Sequence, residues 1–312
     1  MLAWAIVVAR LLQFGSALVL FGSPLFCLYA FKGGSADRST RPWLWLQTTL
    51  LIAIAGAFVG AVLWVLAETA IIFSDPGAFD MDAVFTMLTG TGFGRASFVR
   101  IGLIVLALIA LAVIRPGRFA SLAQAVIGAG VVMSFAWTGH GATSEGAAGL
   151  LHLGGDLLHL LSAGVWIGAL VSLTIVILGS LGTRTKDDAL LTYNALASFS
   201  RIGAAVVAVL VLSGIINSWF LIGPDKLSGL FTTGYGQLLL LKLLLFALML
   251  VLAAANRYRL CPRLANTLGT EEGRSSSLAA LKQSLLAETA LGVFVLLAVS
   301  WMGTLEPVAS SQ

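Results

Sequence analysis

Eight apolar stretches, each long enough to cross a bilayer as a helix, recur along the 312 residues and leave no polar stretch large enough for a separate core. About 20 helical residues span roughly 30 Å of hydrocarbon, and inside it only helices or closed barrels satisfy the backbone's own donors and acceptors. The runs fall at approximately 2–31, 43–73, 97–114, 119–139, 150–180, 199–222, 236–258 and 281–302. The expected fold is therefore all-α, a single integral membrane domain over 1–312 built as a bundle of about eight transmembrane helices. With 59% hydrophobic and 10% charged residues, the chain does not have the composition of a soluble domain. Small residues inside the runs let helix backbones approach closely, and Pro24 is expected to kink the first helix.

The net charge of +4 does not point to nucleic acid, because the basic residues sit in short segments between apolar runs and not in a stripe. They alternate instead. Lys32, Arg38 and Arg41, then Arg115 and Arg118, then Arg184 and Lys186, then Arg257, Arg259, Arg263 and Arg274 mark one side, and that side is expected to be cytoplasmic. The other side carries Asp75, Asp80, Asp82, Glu145 and Asp225, with Lys226, Arg95 and Arg100 as its few cations. Both termini are then periplasmic. The amino terminus lacks a signal-peptide pattern, so the first run is expected to remain as a helix. Cys27 and Cys261 fall on the cytoplasmic side, where no disulfide is expected. Residues 74–96 read as an irregular surface loop in preference to a lid.

All three histidines, His140, His152 and His159, lie in one twenty-residue window. In His152-Leu-Gly-Gly-Asp156-Leu-Leu-His159, spacings of four, three and seven put two imidazoles and a carboxylate on one helix face. A short turn brings His140, at the end of the preceding helix, toward the same point. Met133, seven residues before His140, and Trp166, seven after His159, extend the seam deeper, and Met133 offers a thioether. Imidazole with an optional thioether suits copper, and imidazole with carboxylate also suits zinc or iron. The competing reading, polar residues capping helix ends, suits His152 and His140. It suits Asp156 and His159 poorly, since they lie roughly 8–13 Å into the helix at 1.5 Å per residue. A charge there costs about 2.5–3.5 kcal/mol unless paired or hydrated.

Arg10, Glu68, Lys242 and Glu288 place further charge within runs. Arg10 and Glu68 occupy the same half of sequential helices and read as an ion pair, with Glu68 the alternative pathway carboxylate, while Lys242 is free to snorkel outward. Glu288, roughly 10 Å from the basic face by helical rise, has no evident basic partner and is a candidate for an ion or proton pathway. Asn217 and Asn256 read as groups that hydrogen-bond between helices. Cys27 and Cys261 are soft donors near the basic face. No P-loop, His-Glu-x-x-His, Cys-x-x-Cys-His or Gly-x-Ser-x-Gly signature is present, which argues against ATP-driven transport by this chain.

Taken in order, several motifs resemble the copper-resistance protein D (CopD) family of bacterial inner-membrane proteins. They are Gly139-His140, then Asp156-Leu-Leu-His159-Leu-Leu-Ser-Ala-Gly-Val-Trp166-Ile-Gly168, Phe199-Ser200-Arg201, Ser213-Gly214 with Asn217, Tyr235-Gly236-Gln237 with Lys242, and Asn256-Arg257 with Pro262. The likeness covers most of the chain and is strongest over about 137–305. It implies a multi-pass permease of the inner membrane, not an enzyme, that takes copper at a periplasm-facing site and moves it toward the cytoplasm in copper homeostasis or resistance. It also implies a separate periplasmic carrier of the copper-resistance protein C (CopC) type as partner. Two other readings stay open: a b-type haem electron-transfer protein with histidine axial ligands, and an intramembrane metal-dependent hydrolase with Asp156 as base.

Overall fold

The structure is a computed structural model. It describes residues 2–31, 41–73, 81–138, 146–183 and 185–310. The elements are α1 (Leu2–Ala30), α2 (Arg41–Ile72), α3 (Met81–Gly90), α4 (Gly92–Val113), α5 (Arg118–Met133), α6 (Gly146–Thr183), α7 (Lys186–Ile222), α8 (Gly229–Thr232), α9 (Gly234–Ala255), α10 (Cys261–Thr267) and α11 (Glu271–Met302). Among the described residues eight helices are long and apolar enough to cross a membrane, with α9 and α10 forming one such span across a π-helical link, Asn256–Leu260. The chain is an all-α, multi-pass membrane protein.

Helices run past the apolar stretches wherever a polar turn can be capped outside hydrocarbon. Thr185 caps α7, its Oγ1 accepting from the Asp188 amide at 3.2 Å, so α7 starts well before residue 199. Residues 81–90 are helical, which corrects the irregular loop expected over 74–96; residues 74–80 lie outside the described residues. Apolar Val84, Met87 and Leu88 recur there at helical spacing, Met87 is buried, and Thr91 Oγ1 accepts from Gly94 N at 2.8 Å to start α4. α1 is one unbroken helix through Pro24.

α1 is the hub, packed by α2, α5, α6 and α11. Its contact with α6 is set by glycine: a Cβ on Gly22 would overlap the Gly164 carbonyl oxygen and Gly168 Cα, and one on Gly168 would overlap Gly22. Gly128 meets the α1 backbone at Leu20 and Phe21 in the same manner. Close backbone approach gains dispersion contacts that lipid does not supply. One apolar cluster, including Leu50, Ala57, Ile104 and Val131, fills the side of α1 and α6 facing α2, α4 and α5. A second, including Phe26, Leu173, Leu264 and Leu281, fills the side facing α7 and α9–α11.

The expected Arg10–Glu68 ion pair is not made. The Arg10 guanidinium carbon lies 4.7 Å from the Trp64 ring centroid and 5.2 Å from that of Phe14, and its tip abuts Gly303. Glu68 instead accepts from Trp64 Nε1 at 3.0 Å. Trp64 thus holds the cation on its face and the anion at its edge, a cation–π arrangement that substitutes for a direct pair. Arg100 is not an outer-face cation either. It is fully buried, donating to Ser134 Oγ (2.8 Å), Ser134 O (3.1 Å), Thr138 Oγ1 (3.1 Å) and Gln13 Oε1 (3.3 Å), with Phe135 4.1 Å beneath it. These bonds tie α1 and α4 to the 3₁₀ turn Ser134–Trp137 that ends α5.

Gly22→Val puts a branched side chain into the α1–α6 crossing and is expected to cost about 1–3 kcal/mol, the usual penalty of overpacking. Unfolding of purified protein in detergent measures it; Gly154→Val, where a Cβ meets nothing within 4 Å, is the control expected to stay near wild type.

Candidate metal centre

The α6 face carrying His152, Asp156 and His159 lies against α7, and each side chain finds a different neighbour there. The His152 ring stacks on Phe220, with centroids 4.6 Å apart and planes 10° from parallel. It is buried, its Nδ1 is without a hydrogen bond, and it sits in the second turn of α6, so it is not a helix cap. Asp156 Oδ1 accepts from Asn217 Nδ2 at 3.3 Å. His159 Nδ1 lies 3.2 Å from Ser213 Oγ. Asn217 is the interhelical group expected of it.

The Ser213 hydroxyl stands beside His159 Nδ1 and within reach of the Val209 and Leu210 carbonyls. Ser213 has one hydroxyl proton, and it is given to the Val209 carbonyl at 2.6 Å. A hydroxyl that donates to a carbonyl is free to accept from an Nδ1–H, and in that tautomer Nε2 keeps its lone pair. The ring lines a cavity of about 530 Å³ bounded chiefly by α6, α7, α9 and α11. A histidine whose far nitrogen is anchored by a second residue is the arrangement that holds metal-binding imidazoles in place. Gly214 completes the fit, with a Cβ at that position 3.6 Å from His159 Cε1.

The rest of that cavity is mostly apolar. Lys242 lines it and is electrostatically coupled to Asp156 and His159, so it is turned into the bundle and not outward as a snorkelling lysine. Trp166, Phe246 and Met249 line it further along. Met249 is the thioether on this seam. Met133, expected there, is on α5 and does not line the cavity. The signal for Met249 is in the sequence: Lys242, Phe246 and Met249 are spaced four and three apart, one face of α9.

Trp166 also lines a second cavity, of about 270 Å³, on the far side of its ring. Phe199 and Phe246 hold the indole edge-on, at 5.8 and 6.3 Å between centroids. Glu288, Asn256, Ser200 and Arg257 line this second cavity. Asn256 Nδ2 donates to Glu288 Oε2 at 3.0 Å, which gives Glu288 the partner the sequence did not reveal. Trp166 Nε1 lies beside the same carboxylate and makes no hydrogen bond of good geometry. Ser200 and Arg257 line in turn a third cavity, of about 340 Å³, with Tyr193 and Cys261. Cys27 and Cys261 are free thiols. Three cavities thus follow one another from His159 to Cys261, the first two sharing Trp166 and the last two sharing Ser200 and Arg257.

Among the described residues no three His, Cys, Asp or Glu side chains converge on one point. His152 and His159 are two turns apart, about 10.5 Å at 1.5 Å per residue, and they engage different residues of α7. His140 lies outside the described residues, as does Glu145. Glu68 belongs to the Trp64 cluster across α1 and lines none of the three cavities.

The family model for copper resistance protein D matches residues 193–302, and that for the copper resistance protein D-like N-terminal domain matches residues 1–150. Copper resistance protein D of Pseudomonas syringae pv. tomato is 34% identical over 96% of this chain and 96% of its own length. Inner membrane protein YebZ of Escherichia coli strain K12 is 28% identical over 98% and 100% of the two chains. Copper transport protein CutJ of Bacillus subtilis strain 168 is 31% identical over 90% of this chain and 49% of its own length. No solved structure matches.

Asn217→Ala leaves the Asp156 carboxylate without its interhelical donor. The expected loss is about 1–3 kcal/mol of stability, the cost of an unsatisfied buried acceptor, read from detergent unfolding curves; Asn217→Gln, which keeps an amide, is expected to recover part of it.

Proposed function

The chain belongs to the copper resistance protein D family, and on that premise we propose that it takes up copper at the end of the bundle bearing His152 and carries it across the bacterial inner membrane to the arginine-rich end. The observation that carries this reading is the His159 ring. Its Nδ1 lies 3.2 Å from Ser213 Oγ, and the ring lines the first of three cavities that share lining residues. His159 is the first fixed ligand, with Asp156 supplying negative charge a turn above and Met249 a thioether below. Nitrogen and sulfur donors in a mostly apolar wall favour copper over hard cations such as magnesium or calcium.

His152 and His140 act earlier, at the mouth, as successive contacts and not as members of one fixed cage. The alternation of basic segments supports a periplasmic mouth and periplasmic termini. A separate carrier of the copper-resistance protein C type is the expected donor there. Beyond Trp166 the ion passes Glu288 and leaves past Cys261. The names of two relatives, a copper resistance protein and a copper transport protein, support carriage and not catalysis.

The test is copper uptake into proteoliposomes at matched protein levels. His159→Ala is expected to abolish saturable uptake, and Ser213→Ala to weaken copper affinity by about 10–100-fold, the usual effect of removing a residue that orients a ligand. Uptake by His159→Ala equal to wild type would falsify the assignment. Met133→Leu is expected to behave as wild type, whereas Met249→Leu slows uptake.

A further inference from the structure

The second cavity gathers buried polar atoms that neither packing nor copper capture explains. Glu288 is 2% exposed and sits mid-way along α11. Its one hydrogen-bond donor of good geometry is the neutral amide of Asn256. Around it Asn256 Oδ1 is buried without a partner, as is Ser284 Oγ one turn earlier on α11, while Trp166 Nε1 lies beside the carboxylate without a hydrogen bond of good geometry. Orphaned buried polar groups cost about 1–3 kcal/mol each, and their clustering is the mark of water or an ion held between them. The volume of about 270 Å³ admits several waters.

The elements packed around Glu288 bring few charges to it. α6 presents Trp166 and α7 presents Ser200 and Phe199, none of which titrates in the ordinary range. The π-helical link presents Arg257 and Tyr258 beside Asn256, and α1 contributes nothing to the lining. Cys261 of α10 lines the next cavity, which shares Ser200 and Arg257 and opens toward the arginine-rich end. Among the described residues Glu288 is therefore the one acid lining the chamber, which shares Ser200 and Arg257 with the cavity beyond. A π-helical segment inside a long helix is a frequent companion of functional sites, and this one starts at the residue that bonds Glu288.

We propose that Glu288 exchanges a proton for the passing cation. Arg257 lines the chamber but is not paired with Glu288 among the described residues, and an ionised carboxylate at that depth is costly without a paired positive charge, so an empty chamber favours the carboxylic acid. A monovalent cation entering past Trp166 favours the carboxylate instead. The proton then leaves along the waters between Ser200 and Arg257, so that one positive charge enters as one departs and no bond to the metal is needed. When the cation moves on, a proton returns by the same route. Acidification of the arginine-rich face therefore opposes copper passage.

This rests on the copper route proposed above, and the experiment separates the two. Copper is added to weakly buffered, detergent-solubilised protein with a pH indicator, and copper exchange through proteoliposomes is followed as the pH on the arginine-rich side is varied. Wild type is expected to release protons on copper addition and to slow in acid. Glu288→Gln is expected to bind copper with no proton release and to exchange slowly at every pH, while Glu288→Asp keeps the acid inhibition with a shifted midpoint. Unaltered proton release, or an unaltered pH profile, in Glu288→Gln overturns the proposal. If wild type neither binds nor moves copper, the transport reading fails by itself. Infrared difference spectra of copper-free protein on a pH step then decide the proton site: a carboxylic-acid carbonyl band in wild type, lost in Glu288→Gln, supports it, and its absence from wild type overturns it.

Discussion

Hydrocarbon offers no partner to a polar group, and every polar side chain in this bundle is arranged by that fact. Backbone groups are satisfied within helices, which leaves side chains to find one another across helix contacts. Asn217 reaches Asp156, Asn256 reaches Glu288, Ser213 reaches His159, and Arg100 collects three acceptors at the end of α5 and one on α1. The glycines of α1 and α6 bring the central backbones close enough for the two halves to share one spine. Two of the atoms left without a partner, Trp166 Nε1 and Asn256 Oδ1, belong to residues that line a cavity.

The cavities owe their shape to unequal packing. α6 is well covered by α1, α7 and α11, while α7 and α9 diverge and leave large apolar residues such as Ile215, Trp219 and Leu243 exposed. The gap between them is where His159, Lys242 and Met249 meet. Trp166, on the well-packed α6, projects across that gap and divides it in two. The cavities are thus a by-product of which helix pairs pack and which do not.

Much of the fold was legible because a hydrophobic run of spanning length leaves a chain few alternatives, and all eight spans stand close to where the runs lie. Their ends were not, since Thr185 and Thr91 cap turns outside the apolar stretch and composition carries no trace of how far a capped helix protrudes. The polar face of α6 was readable from spacing alone, because His152, Asp156 and His159 obey one helical period. Which α7 residue each would meet was not, as it depends on the register between two helices. Met133 and Met249 show the same limit: both lie at plausible depth, and only the packing of α9 against α11 decides which lines the seam. Arg10 and Glu68 were matched by depth, but the aromatic ring between them could not be foreseen from depth.

On the other side of α1, two guanidinium groups, Arg10 and Arg100, share the Trp64 ring with a single carboxylate, Glu68. That half of the bundle therefore has an excess positive charge at its heart, in a medium that screens it weakly. For an anion it would be a well; for a metal cation it is a hill, beside a seam whose walls hold imidazole, thioether and carboxylate. On the proposed route, the tryptophan and its two arginines would act as a watershed, turning a cation toward α6, α7, α9 and α11 before any ligand is met.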